Sequence, residues 1–290
     1  MSTTVRFARL SFETKLQHFT DDLEEIERRK QNLLEVIDYD TNLTRLLEDT
    51  DGEGYINRGE WNYAGVGTDE YLIYGKLGKH TGREDKVLDE ETKDYVETEM
   101  ETADVSFFLI DVRTSVMAYE YRRNVGPKAP YRVLEYAFNS LHEGVETLEI
   151  APLIDKEKFM EKLDAITEVA SIRFTSLHPT NPRSTAGSDK MDEFLEEGGI
   201  ENLTLRADGG DDGIILENVP LFDSGLNLAQ EGYGTARVIG KEADGEEVDV
   251  RSENVPIRVR REINNKTEAR KQALKTEIDN ALARLEQNIE

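Results

Sequence analysis

Residues 104–141, DVSFFLIDVRTSVMAYEYRRNVGPKAPYRVLEYAFNSL, hold the densest apolar and aromatic run in the chain. They read as strand, tight turn, strand, polar connection and helix. Val105, Phe107, Phe108, Leu109 and Ile110 are nearly unbroken in apolar character, which suits a strand covered on both faces. Residues 111–115 form a polar turn, and Val116, Ala118, Tyr119 and Tyr121 continue as a second strand. Pro127 and Pro130 punctuate the entry to a helix, where Val133, Leu134, Ala137, Phe138 and Leu141 recur at helical spacing.

The same reading extends outward in both directions. Residues 5–12 alternate as a strand with Ala8, Leu10 and Phe12 on one side. Thr20-Asp21-Asp22 is an N-cap with an acidic first turn for a helix carrying Leu23, Ile26, Leu33, Leu34 and Ile37. A second helical piece covers 43–48. Strands follow at 60–66 and 70–75, with GVGTD as their turn, then a polar loop at 78–91 and a short strand at 94–99. Beyond the central segment, 145–150 is a strand and Asp155 caps a helix carrying Phe159, Met160, Leu163 and Ile166. The strand 169–174 ends in LHPTNPR, where two prolines stop regular structure. A helix with Met191, Phe194 and Leu195 closes at Gly198-Gly199. Leu203 and Leu205 begin a strand, 235–239 and 248–250 pair as a hairpin, and another strand starts at Ile257. The chain ends in a helix over 266–289 with an apolar stripe at Leu274, Ile278, Ala281 and Leu285. Frequent hairpins favour an α+β fold, with a central, mainly antiparallel sheet, flanking helices and a long C-terminal helix. The expected organisation is one domain over 1–262, with a helical insertion at about 20–50, and a helix at 263–290 that packs on it or self-associates.

The 290 residues include 61 acidic and 36 basic side chains, a net charge of −25, with the acids spread along the chain. A dispersed carboxylate surface with Arg favoured over Lys fits a protein living in molar salt, where the Debye length falls to about 3 Å and self-repulsion is screened. The source is therefore expected to be a haloarchaeon-like organism. The absence of cysteine excludes disulfides, thiolate zinc sites and thiol nucleophiles. No stretch approaches the ~20 apolar residues of a membrane span, and MSTTVRFARLSF lacks a signal-peptide core. The expectation is a cytoplasmic protein with no membrane partner.

Three patterns carry candidate chemistry. Asp49, Asp51, Glu53, Asn57 and Glu60 place oxygen side chains at positions one, three, five, nine and twelve of a loop. Gly54 is sixth, Tyr55 seventh and Ile56 eighth. The twelve residues resemble the calcium loop of an EF-hand, which implies a Ca2+ or Mg2+ site. The segment after Glu60 reads as strand, so the exiting helix is missing, and a solvated acidic turn is the alternative. Lys76, Lys79 and His80 sit in a glycine-containing loop whose amides suit a phosphate, although the spacing is not that of a P-loop. Finally, Arg122 and Arg123 follow Tyr119 and Tyr121, while Arg258, Arg260 and Arg261 lie on the strand after Pro256. Arg258 and Arg260 share one face of that strand. Arg and Tyr together on a sheet stack bases and pair phosphates; the alternative is that these arginines anchor surface ion pairs. The four histidines lack ligand spacing, and no nucleophile–base motif occurs.

The GKLGK run at 75–79, the FFLID strand, HPTNP at 178–182 and GYG at 232–234 occur in an order that resembles an uncharacterised family of prokaryotic proteins found among mobile-element and phage-defence genes. The resemblance implies a defence-related role and names no catalytic residue. The functional expectation is a non-enzymatic binding or regulatory protein that contacts nucleic acid or a protein partner through an Arg/Tyr sheet face and forms a homo-oligomer or a complex. The alternatives are a nuclease-like, divalent-metal-dependent enzyme using loop 49–60, and a structural subunit of a larger assembly.

Overall fold

The computed structural model describes residues 2–14, 23–38, 60–88, 95–180, 190–210, 213–219 and 221–287. In chain order the elements are β1 (Ser2–Thr14), α1 (Leu23–Asp38), β2 (Glu60–Asp69), β3 (Leu72–Leu88), β4 (Tyr95–Asp111), β5 (Val116–Tyr121), α2 (Ala129–Leu141), β6 (Glu146–Pro152) and α3 (Lys156–Leu163). They continue as β7 (Glu168–Leu177), α4 (Lys190–Gly198), β8 (Leu203–Asp208), α5 (Phe222–Gln230), β9 (Thr235–Lys241), β10 (Glu247–Arg251), β11 (Arg258–Glu262) and α6 (Thr267–Gln287). The fold is α+β, and every strand pairing among the described residues is antiparallel.

The large sheet runs β11-β1-β5-β4-β3-β2. β1 pairs β5 along one edge. Along the other it pairs β11 from Ser2 to Arg6 and β6 from Ala8 to Thr14. The junction of those two partners lies at Phe7, whose carbonyl accepts from the Leu153 amide at 3.1 Å. The described residues between 153 and 257 leave the sheet at this junction and return to it, with Ile154 bridged to Pro256. They build the second sheet, β10-β9-β7-β8, over a separate core of residues including Phe159, Phe174, Leu195, Leu226 and Val238. This second sheet was not anticipated as a separate layer.

Phe107, Phe108, Leu109 and Ile110 are each no more than 1% exposed. Phe108 and Ile110 face a core shared with α1 and α2, while Phe107 and Leu109 face α6. Fully burying four such side chains contributes about 1.5–3 kcal/mol each. The stripe Leu274, Ile278, Ala281 and Leu285 packs on this second face. The apolar side of the last helix is thus taken up within the chain, and self-association through it would have to use the charged side.

Two expectations change. The loop expected at 78–91 is strand as far as Leu88, paired with β4 from Leu72↔Asp111 to Leu88↔Tyr95. The glycine of GKLGK that suggested a turn serves close packing instead, since a Cβ on Gly75 would meet the Phe108 ring at 3.2 Å. GVGTD belongs to β2 and carries a bulge between Ala64 and Gly67, and the turn falls at Glu70-Tyr71. Among the described residues no helix is long and apolar enough to cross a membrane.

Candidate functional site

Pairing of three strands assembles a face that no single segment contains. Arg258 of β11 lies opposite Arg6 of β1, and Arg6 lies opposite Tyr119 of β5. One step along, Arg260, Thr4 and Tyr121 form the next row. Residues directly opposite in antiparallel strands point to the same side, so Arg6, Arg258, Arg260, Tyr119 and Tyr121 share one face. Arg258 and Arg260 are exposed, Arg6 and Tyr121 half-buried, and Tyr119 is buried. The Arg6 guanidinium stacks 4.5 Å from the Tyr121 ring centroid.

Beside the rows is a cavity of about 220 Å³ lined by Arg6, Tyr119, Lys128, Tyr131, Glu253 and Arg258, among others. It opens at the first turn of α2, where Lys128 is the N-cap residue and no side chain caps the amides. A helix start carries partial positive charge and free N–H donors. Glu253 is held by Lys128 at 2.9 Å and by Arg132 at 3.6 Å. Arg6 and Arg258, by contrast, form no ion pair among the described residues, and Arg6 Nε is buried without a hydrogen-bond partner. Burial pushes the Tyr119 and Tyr131 phenols well above their ordinary pKa, so both stay neutral, and the Tyr119 hydroxyl donates to the Pro127 carbonyl at 2.9 Å. The arrangement leaves two cations and a helix terminus facing one cavity in a chain of net charge −25. That suits an anion flanked by a planar, stackable group.

Other predicted residues fall elsewhere. Arg261 alternates to the opposite face, where its Nε donates to Glu277 of α6 at 2.6 Å. Arg122 donates to the buried Glu120 at 2.7 Å, on that same far side, and Arg123 is exposed past the end of β5. Lys76, Lys79 and His80 lie inside β3 and make no phosphate loop. Lys79 is buried, with Nζ 3.4 Å from the Asn124 carbonyl and over the Trp61 ring; burial outweighs Asp104 and lowers its pKa. His80 contacts the Asn62 side chain at 3.0 Å. Asp49, Asp51, Glu53, Tyr55 and Asn57 lie outside the described residues, and Glu60 opens β2. Sequence reasoning missed Arg6 and Lys128. The signal for Arg6 was present, because it continues the Ala8, Leu10 and Phe12 side of β1.

A second polar cluster sits where the two sheets meet. His178, buried just beyond β7, has Nδ1 2.9 Å from the Glu201 carbonyl and Nε2 2.9 Å from Glu149 Oε2. Glu13 Oε1 lies 3.0 Å from Nδ1. Burial acts to lower the His178 pKa, but Glu13 and Glu149 outweigh it and hold it up at about 10. His178 belongs to the HPTNP motif; Asn181 and Pro182 are outside the described residues.

No curated protein matches the chain. A family model described as a domain of unknown function, DUF4747, matches residues 3–279, and the chain belongs to that family.

Proposed function

We propose that this protein is a binding or regulatory protein that holds single-stranded nucleic acid across the β11-β1-β5 face. The observation that carries the reading is the pair of cross-strand rows, Arg258–Arg6–Tyr119 and Arg260–Thr4–Tyr121, beside a cavity lined by Arg6 and Arg258, neither of which forms an ion pair among the described residues. Phosphates would pair with Arg6, Arg258 and Arg260, and a base would stack against Tyr121, a mode that tolerates sequence because every base offers a π-face. An otherwise acidic surface keeps the strand on this path by repelling it elsewhere. The GKLGK, FFLID, HPTNP and GYG resemblance adds a role in phage defence, in a cell with a saline interior. Deleting the gene without any change in phage sensitivity would remove that part of the proposal.

The test is fluorescence anisotropy with a labelled single-stranded oligonucleotide, DNA and RNA in turn, at low and raised salt. Binding is expected to weaken with salt by about 0.7 in log–log slope per phosphate contacted. Arg258→Glu with Arg260→Glu is expected to weaken it about tenfold and to lower that slope. Arg261→Gln, which removes the charge on the other face and keeps a donor for Glu277, is expected to leave it unchanged. No binding to either oligonucleotide, or equal losses in the two variants, would overturn the proposal and leave a protein partner as the occupant of this face.

A further inference from the structure

We propose that Glu13, Glu149 and His178 form a divalent-metal site that joins the two sheets. One ligand atom of each lies within 4.8 Å of the other two. The elements place them by independent routes. Ser11 pairs with Glu149 and Glu13 with Thr147, so Glu13 and Glu149 are diagonal neighbours on one face of the β1–β6 ladder. That face is opposite the one that carries Arg6. His178 arrives from the small sheet, just past the end of β7.

Three features favour a cation over a packing contact. The His178 Nδ1–H is directed to the Glu201 main-chain carbonyl, at 2.9 Å, which fixes the ring and presents Nε2 toward Glu149, where a metal ion would take the place of the proton that Nε2 shares with that carboxylate in its absence. A metal-ligating histidine characteristically donates its other ring N–H to a carbonyl or carboxylate in this way. Glu13 Oε1 is buried and lies 3.0 Å from Nδ1, but the Nδ1–H is directed to Glu201, so no well-directed hydrogen bond reaches that oxygen. A buried carboxylate oxygen left without a donor is costly, and a metal ion is one of the few partners that satisfies it. The carboxylates are also reachable: the side chains of Glu13 and Glu149 are 23% and 32% exposed, while His178 is 6% exposed behind them.

The donor set selects the ion. One imidazole with two carboxylates suits a first-row divalent ion such as Zn2+ or Mn2+. It supplies too few oxygens for Ca2+, which takes about six to eight. Three protein ligands leave coordination positions for water or for an oxygen of a bound anion. The site is separate from loop 49–60 in both residues and donor chemistry.

The experiment is equilibrium dialysis of the full chain against Zn2+ and against Mn2+, with metal content measured by mass spectrometry and thermal unfolding followed with and without the ion. One ion per chain is expected. The unfolding midpoint is expected to rise by about 5 °C at a hundredfold excess over the dissociation constant. Glu13→Gln and Glu149→Gln are each expected to abolish retention with an unchanged circular dichroism spectrum, while Asp51→Asn retains the ion. Should one variant fail to fold, the other and the wild-type stoichiometry still decide. No stoichiometric ion in the wild type, or retention in both Gln variants, would show the cluster to be an ionic clamp around His178 and overturn the proposal. Loss in Asp51→Asn alone would move the ion to the acidic loop and overturn it equally.

Discussion

Arg9→Met is expected to lower the unfolding free energy by about 3 kcal/mol, because Arg9 is the buried joint between the two sheets. It is 5% exposed. Its Nη1 donates to the Thr114 carbonyl at 2.8 Å, in the turn between β4 and β5, and its Nε donates to the Glu231 carbonyl at 2.9 Å, just after α5. One side chain therefore satisfies a carbonyl from the large sheet and another from the inserted segment. The guanidinium also lies 4.8 Å from the Tyr233 ring centroid. Hydrogen bonds from a charged donor contribute about 1.5–3 kcal/mol each, and two carbonyls lose theirs together. Methionine retains the apolar stem, so the loss is polar and not volumetric. The backbone is shaped to this contact: Gly232 has φ +82°, and a Cβ there would come 2.5 Å from the Arg9 Cβ. Urea denaturation checks the magnitude. The chain's single tryptophan, Trp61, is a buried residue of β2 in the large sheet, so its fluorescence reports on that layer alone. In the variant the Trp61 transition is expected to separate from the far-UV circular dichroism transition, as the small sheet loses its anchor. Coincident transitions at the wild-type midpoint would show that the sheets are coupled through other contacts.

The parts of this fold that were legible in the sequence are those set by neighbours in the chain. In 104–141 the apolar run, the turn and the helical period are all local. Asp111 Oδ1 accepts from the Arg113 amide at 3.1 Å, a turn contact between near neighbours. Asp155 likewise caps α3 through the Lys158 amide at 3.2 Å, as its position before an apolar period implied. What local reading lost falls into two kinds. In β3 the glycines and polar residues resembled a loop because the partner ring of Phe108 is not visible from β3 itself. In α5 the sequence FDSGLNLAQ has Gly225 in its middle and no side-chain cap, so both usual signals pointed away from a helix. Gly225 is there because the helix packs on β7: a Cβ would stand 3.1 Å from the Phe174 ring.

The candidate site was half legible for the same reason. Alternation on one strand placed Arg258 and Arg260 together, and Tyr119 with Tyr121, without any register between strands. The face exists because the first strand of the chain pairs with both β5 and β11, bringing Arg6 beside Arg258 across 252 positions of sequence (258 − 6). Alternation also separates Arg261 from its neighbours, a consequence that basic clustering alone had obscured.

Glu120→Ala is expected to cost about 3–5 kcal/mol, the usual result of removing one partner from a buried ion pair. Glu120 is 1% exposed on the α6 side of β5. Arg122 donates to its Oε2 at 2.7 Å, and Arg270 Nε of α6 lies 3.3 Å from its Oε1. Arg270 is itself largely enclosed, 5.6 Å from the Phe107 ring centroid, and its Nε has no other hydrogen-bond partner. Alanine leaves that guanidinium buried without a counter-charge, and it is this orphaned charge that costs most, more than the lost attraction. The distinction is measurable. If the orphan dominates, Glu120→Leu combined with Arg270→Leu is expected to recover most of the stability, because well-packed apolar replacements of a buried pair are often neutral. Denaturation midpoints of the single and double variants decide it, and a double variant no better than Glu120→Ala would place the cost in the lost pairing. The same variants separate the two faces of the sheet. Glu120 and Arg122 belong to the side that holds α6, whereas Tyr119 and Tyr121 belong to the side that carries Arg6. Affinity for a single-stranded oligonucleotide is therefore expected to be unchanged in the double variant even as stability moves, since the rows that would hold the strand are built from the opposite set of side chains.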